Sequence, residues 1–468
     1  MNQDSTERIV TALSDWIAHA APGARLPSNR ALMARHGASP VTVQKAMRRL
    51  AALGLIESRP GVGTFTRAGR TARAADYGWQ TAALGTPPAR MPVLSSTQRT
   101  VAPDAIALHS GYPAPELLPE RLVRQALGRA ARRNTAVLRS PAAGSPDLQA
   151  WFAGELASAA PVGVTPASAR DSLIIAGSQS GLSSIFRAVV GVGQPLLIES
   201  PTYWGAILAA AQAGVELVPV PAGPEGPDPE AVARAFAESG ARGFYAQPSF
   251  ANPTGAVWPE ATRSAVLELV RRNGAFLIED DWAHDLAIDA APRPIAAEDE
   301  DGHVIYLRSL TKSVSPALRV AAVIARGPAR DRILADRAAE SMYVSGLLQA
   351  AVLDVVTQPA WRTHLRGLRE QLRARRDLLL DALREHAPTA TVETVPRGGL
   401  NLWVRLPDGS DAEQVVRECA ARGVVLAPGS EWFPAEPSGA FVRLNYSGEG
   451  PERFPEAAGV LGDVLSGS

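Results

Sequence analysis

Lys312 stands in the run "RSLTKSVSPALR" and is one of only two lysines in a chain of 468 residues with 47 basic side chains. The other is Lys45; every remaining positive charge is arginine. Either side chain serves a surface, but only a primary amine condenses with an aldehyde. Lys312 therefore reads as a nucleophilic amine. In "GSQSG", Ser178 and Gln179 open a helix where backbone N–H groups can hold a phosphate. Ser309 ends a β-prone run and Arg319 follows Lys312 by seven residues; both can join that phosphate. Tyr203 in "PTYWG" offers a ring for a flat ligand. "FLIEDDW" ends a strand in Glu279, Asp280 and Asp281, acids that repel one another unless a cation is near. One of them can keep a ring nitrogen protonated. Amine, phosphate cradle, aromatic ring and carboxylate together describe pyridoxal 5′-phosphate.

These residues need a frame that brings them to one edge. Seven short apolar runs supply it: "DSLIIAGS", "QPLLIES", "VELVPV", "GFYAQPS", "AFLIEDD", "HVIYLRS" and "RVAAVIA". They alternate with helical segments, which predicts an α/β sheet covered on both faces. Ligands in such sheets sit beyond the carboxyl ends of the strands.

The order "GSQSG", "PTYWG", "NPTG", "EDDW", "SLTK" and then arginine resembles the fold-type I, class I/II aminotransferases over residues 106 to 465. The resemblance implies a large domain with a mixed seven-stranded sheet and a smaller C-terminal domain. It also implies that Lys312 forms a Schiff base with the cofactor, that Asn252 bonds the ring 3-hydroxyl and that Asp280 pairs with the pyridine nitrogen. Asp281 is the alternative, because adjacent acids blur the register. Arg443 in "FVRLNYSG" matches the arginine that grips a substrate carboxylate. Trp282 is a departure, since the family carries a tyrosine near this position.

The first seventy residues differ in character. They hold ten basic and four acidic side chains in a chain whose formal net charge is zero, so a basic segment precedes an acidic body. "TERIVTALSDWIAHA" puts Ile9, Leu13, Trp16 and Ile17 on one stripe. Ser28 and Gly37 bracket a second helix. Ser39, Pro40 and Gly54 bracket a third, with Val43, Met47, Leu50 and Leu53 facing inward. Two β-prone runs then flank "RPGVG" as a hairpin. Three helices and a hairpin make a winged helix-turn-helix, whose third helix enters the major groove. Ser39, Thr42 and Gln44 can reach base edges, Arg30, Arg48 and Arg59 can reach phosphates, and Lys45 lies on the same outer face. Gly61 and Gly63 let the hairpin tip approach DNA closely. "LPSNRALMARHGASPVTVQKAMRRLAALGLIESRPGVGTF" resembles the GntR-type winged helix, with Pro40 where that family places a polar or basic residue.

We expect a winged helix over 1–68, a mobile linker over 69–105 and a cofactor-binding effector domain over 106–468. That order resembles the MocR family of bacterial transcription regulators. It implies a head-to-tail homodimer on promoter DNA that answers to pyridoxal phosphate itself or to an amino compound. An active aminotransferase with a DNA-binding appendage is the alternative. The single cysteine, Cys419, excludes an internal disulfide and a multi-cysteine zinc site. The polar start "MNQDSTERIV" lacks an apolar signal core, and no long apolar run is present, so a cytoplasmic protein without metal is expected.

Overall fold

A computed structural model describes residues 5–21, 23–67, 80, 83, 95–291 and 293–467. The chain divides into two compact units, Met1–Ala89 and Arg90–Ser468.

The first unit contains α1 (Ser5–His19), α2 (Asn29–His36), α3 (Pro40–Ala52) and the hairpin β1 (Ile56–Arg59) and β2 (Gly63–Thr66). Ser28 accepts the Ala31 N–H at the start of α2, and Gly37 ends it in the left-handed region. Ser39 accepts the Thr42 N–H at the start of α3. The core is Ile9, Val10, Leu13, Leu26, Leu32, Val43, Ala46, Leu50 and Ile56. Two expected inward residues lie outside it. Leu53 is 59% exposed because α3 ends one residue earlier and turns away at Gly54, φ +72°. Trp16 is 37% exposed, and Val10 fills the α1 stripe.

The second unit is built on strands β3 (Ile106–Ala107), β4 (Ser172–Ile175), β5 (Pro195–Ser200), β6 (Glu216–Gly223), β7 (Gly226–Pro227), β8 (Gly243–Ala246), β9 (Phe276–Asp281), β10 (Val304–Ser309) and β11 (Ala321–Ile324). All but β3 join one mixed sheet, in the order β4-β11-β10-β9-β8-β5-β6-β7. The seven expected strands are all present. An eighth, β7, is a two-residue antiparallel return on β6. Strand alternation splits the apolar residues between two cores. Ile174, Leu197, Phe244, Leu277 and Tyr306 face one, and Ile175, Ile198, Tyr245, Ile278 and Leu307 face the other.

The C-terminal part adds β12 (Asn401–Arg405), β13 (Val424–Val425), β14 (Ala427–Pro428) and β15 (Phe441–Asn445). Three of these form the sheet β12-β15-β14, while β13 pairs with β3. The helix Pro359–His386 shares a third core with them, through Leu372, Leu379, Leu402, Val442 and Leu444.

The described end of the expected linker belongs to this unit. Ser95, Ser96 and Thr97 are buried, and Ser96–Gln98 form a short 3-10 turn. The Ser95 hydroxyl donates to Glu431 Oε2 at 2.6 Å and the Ser96 N–H to Glu431 Oε1 at 2.9 Å. Two charge-assisted hydrogen bonds hold what composition alone makes a free connector. Residues 84–94 lie outside the described residues.

Candidate functional site

One edge of the large sheet collects polar groups. The parallel strands β5, β8, β9 and β10 end there, and antiparallel β11 begins there, pairing Ala321 with Ser309 and with Ile175. A cavity of about 170 Å³ opens at this edge. Ser178, Gln179, Tyr203, Asn252, Asp280, Ser309, Lys312, Arg319 and Arg443 all line it. Each residue singled out in the sequence for cofactor or carboxylate, the alternative Asp281 apart, therefore borders one space.

The helix Ser178–Ile185 opens at Gly177, whose φ of +85° suits glycine. Ser178 is thus the first helical residue and not the cap. A Cβ at Gly177 would lie 2.8 Å from Arg319 Nη2, so the glycine lets that guanidinium come against the helix start. Ser309 accepts the Thr311 N–H at 3.2 Å. Gln179 is occupied by protein: its amide donates to the Gly205 carbonyl at 2.7 Å, and its oxygen accepts the Tyr203 hydroxyl at 3.1 Å. This fixes the Tyr203 ring.

Asp280 and Asp281 separate by alternation along β9. Asp280 shares the face of Ile278 and accepts from the Tyr245 hydroxyl and the Gln247 amide, each at 2.8 Å, on Oδ2. Asp281 lies on the opposite face and does not line the cavity; its Oδ2 accepts the Tyr306 hydroxyl at 2.6 Å and contacts His284 Nδ1 at 2.7 Å. Burial pushes the Asp280 carboxyl up to about 6, against the pull of Gln247, Tyr245 and the Lys312 charge. Burial also acts on Asp281, but His284, Tyr306 and Arg308 outweigh it and hold that carboxyl below its ordinary range. Asp280 Oδ1 is buried with no hydrogen-bond partner among the described residues.

Burial, helped by Arg443 and Arg319 and opposed by Asp280, brings the Lys312 amine down to about 7. Its Nζ lies 4.2 Å from the Trp282 ring centre and 5.9 Å from that of Tyr112. Arg443, on β15, is 1% exposed. It donates to the His109 and Ser110 carbonyls at 2.7 and 3.1 Å, approaches Asn252 Oδ1 at 3.4 Å and stacks over Trp432 at 4.7 Å. No ion pair to a carboxylate forms at Arg443 among the described residues, and burial lowers its guanidinium to about 10.

Several lining residues escaped the sequence reading. Gln247 joins the site: its side chain bonds Asp280 and accepts the Asn252 N–H at 2.8 Å, while its own N–H donates to Glu199 at 2.9 Å. It lies inside the predicted run "GFYAQPS", just past the end of β8, a position that signals it. Tyr112, Thr97, Gln98 and Thr311 also line the cavity. They lie in a bend, a turn and a short 3-10 segment that carry no periodic signal.

In the first unit, Arg30, Gln44, Lys45 and Arg48 are exposed. Ser39 and Thr42 share a hydroxyl contact at 2.9 Å, and Thr42 is half-buried. Arg59 donates to Glu57 at 3.0 Å and lies 4.9 Å from the Phe65 ring centre. Gly61 and Gly63 have φ of +73° and +138°, as a tight hairpin tip requires.

The family model for bacterial regulatory proteins of the gntR family matches residues 5–66. That for aminotransferase class I and II matches residues 120–461. The probable rhizopine catabolism regulatory protein MocR of Rhizobium meliloti is 28% identical over 450 residues, 95% of this chain and 90% of that protein. The chain belongs to the MocR-type transcription regulators. The second unit of this MocR-type chain is also similar to enzymes. The 2-aminoadipate transaminase of Thermus thermophilus is 32% identical over 381 residues, 80% of this chain and 93% of that protein. The crystal structure of α-aminoadipate aminotransferase from Thermus thermophilus, complexed with N-(5′-phosphopyridoxyl)-L-leucine, superposes with a TM-score of 0.71 at 30% identity, covering 78% of this chain and 93% of that one.

Pyridoxal 5′-phosphate is the cofactor of this MocR-type fold, and the donor set fits it. Among the described residues, the cavity offers one amine, the helix start at Gly177 beside Arg319, and three buried polar atoms without hydrogen-bond partners: Asp280 Oδ1, Thr311 Oγ1 and Arg443 Nε. Among the described residues, no helix is long and apolar enough to cross a membrane.

Proposed function

We propose that the chain is a cytoplasmic, pyridoxal phosphate-binding regulator that sits on promoter DNA as a head-to-tail homodimer. It answers to pyridoxal phosphate itself, or to an amino compound that displaces Lys312 from it. Its targets are genes of vitamin B6 or amine metabolism. When bound, the cofactor supplies an aldehyde that condenses with amines and a ring that draws electrons.

In this reading, Lys312 is the amine that captures the aldehyde, and its burial keeps a useful share of it neutral near pH 7. Ser178, Ser309, Arg319 and the backbone N–H of Gln179 hold the phosphate end. Tyr203 flanks the ring, Asn252 meets its hydroxyl, and Asp280 Oδ1 holds the proton at its nitrogen. Arg443 is a buried cation awaiting an effector carboxylate. In the first unit, Arg30, Lys45, Arg48 and Arg59 take phosphates, and Ser39, Thr42 and Gln44 address base edges beside the Gly61–Gly63 tip. The hydroxyl pair of Ser39 and Thr42 makes Gln44 the strongest base reader of the three.

The observation that carries the reading is that Lys312, Asp280 and Arg443 share one cavity in a chain whose residues 5–66 match a DNA-binding family. Titrating the protein with pyridoxal phosphate while following its binding to the promoter region of its own gene tests it. A change in DNA affinity is expected; binding that ignores the cofactor overturns it. Transamination is the second reading, favoured by the intact set of Lys312, Asp280 and Arg443. Steady turnover of an amino donor and a keto acid would establish it.

A further inference from the structure

The cavity wall includes chain that is not part of the sheet edge. Thr97 and Gln98 line it, and they lie within the expected linker of residues 69–105, through which the chain passes from the winged helix to this unit. Glu431 holds this turn through the Ser95 hydroxyl and the Ser96 N–H. Glu431 lies in the 3-10 helix Gly429–Trp432, so it is the chain neighbour of Trp432. Trp432 is fully buried and carries the Arg443 guanidinium on its ring at 4.7 Å. Its carbonyl accepts the Thr202 N–H at 2.8 Å, one residue before Tyr203. Packed contacts thus run from two ligand-facing side chains to the end of the tether. Glu431 does not itself line the cavity.

We propose that Glu431 is a positioning residue that clamps the Ser95–Gln98 turn into the ligand cavity, so that occupancy of the cavity is read by the tether of the DNA-binding unit. The inference rests on the function proposed above and adds the element that carries its signal. A ligand touching Thr97 and Gln98 favours the clamped arrangement, and only such differential contact can shift an equilibrium. The carboxylate accepts two hydrogen bonds, both of which are weakened when its charge is removed.

The test uses the full chain, pyridoxal 5′-phosphate as probe and the variants Glu431→Gln and Glu431→Asp. Amide hydrogen exchange is followed at Ser96, Gln98 and Arg99, with cofactor absorbance recorded in parallel. Cofactor should slow exchange at these amides by about fivefold or more in the wild type, the lower range of an allosteric coupling. Glu431→Gln should lose that slowing and, because the coupling is reciprocal, take up cofactor about fivefold more weakly while developing the same absorbance at saturation, and Glu431→Asp should restore part of both. DNA selected from a random pool by the wild-type protein gives a second readout. Glu431→Gln should bind it, yet lose the cofactor-induced change in affinity. If cofactor is bound and these amides exchange as fast as without it, or if Glu431→Gln couples like the wild type, the inference falls. If no cofactor absorbance develops in the wild type, the proposed function falls instead.

Discussion

Lys312 Nζ lies 4.2 Å from the Trp282 ring centre, while the Trp282 indole N–H donates to the Phe250 carbonyl at 3.0 Å. Trp282 thus meets the amine with its face and spends its donor on the backbone. It does not replace the hydroxyl of a tyrosine. Trp282→Phe should keep a ring under the amine and lose the anchoring bond, lowering stability by about 1 kcal/mol. Trp282→Ala should also weaken cofactor capture. Denaturant melts and absorbance titrations check both.

Lys312→Ala should abolish the visible absorbance of the cofactor-loaded protein without lowering its melting temperature, since the variant removes a buried amine. The wild-type pH profile follows from an amine lowered to about 7. The neutral form is the nucleophile, so the capture rate should rise with pH below about 7 and level off above it. An ordinary lysine would keep rising towards about 10.4. A stopped-flow profile still climbing at pH 9 would contradict the assignment.

Asp280→Asn and Asp281→Asn should differ in kind. The first removes the carboxylate bordering the cavity and should weaken cofactor binding about tenfold or more, as expected for a lost hydrogen bond to a charged group. The second disturbs Tyr306 and His284, so it should lower the melting temperature while leaving the cofactor spectrum intact. Spectral titration beside thermal melts separates them.

Arg443→Lys should remove any response to amino acids and leave the response to cofactor alone. A single ammonium cannot reproduce the planar two-point grip on a carboxylate. Isothermal titration of the cofactor-loaded variant with amino acids reads this out.

Arg48→Ala should weaken DNA binding across sequences and reduce the salt slope by about one counterion. Arg49→Ala is the contrast. Arg49 pairs with Glu7 at 2.8 Å in an exposed bridge, so its loss should alter stability by less than about 1 kcal/mol.

Much of this molecule can be read along the chain. The seven apolar runs are strands because each is short, carries β-branched or aromatic residues and is bounded by turn residues. The nine cofactor and carboxylate residues of the second unit border one cavity, because chemistry in such sheets gathers where parallel strands end. Local rules also placed the caps at Ser28 and Ser39. Boundaries were less legible: Leu53 falls outside its core because α3 stops one residue sooner than its apolar spacing.

The sequence by itself determined the chemistry: an amine at Lys312 in a chain with only two lysines, acids at a strand end, and a basic winged helix before an acidic body. Those are properties of residue type and short-range spacing. Only the tertiary structure decided which neighbouring acid borders the cavity, that Gln247 ties Asp280 to Asn252, and that Glu431 fixes Ser95 and Ser96 across more than three hundred residues of chain. Such pairings depend on strand register and packing between distant segments. No local pattern encodes them, because the partners meet only after the sheet has formed.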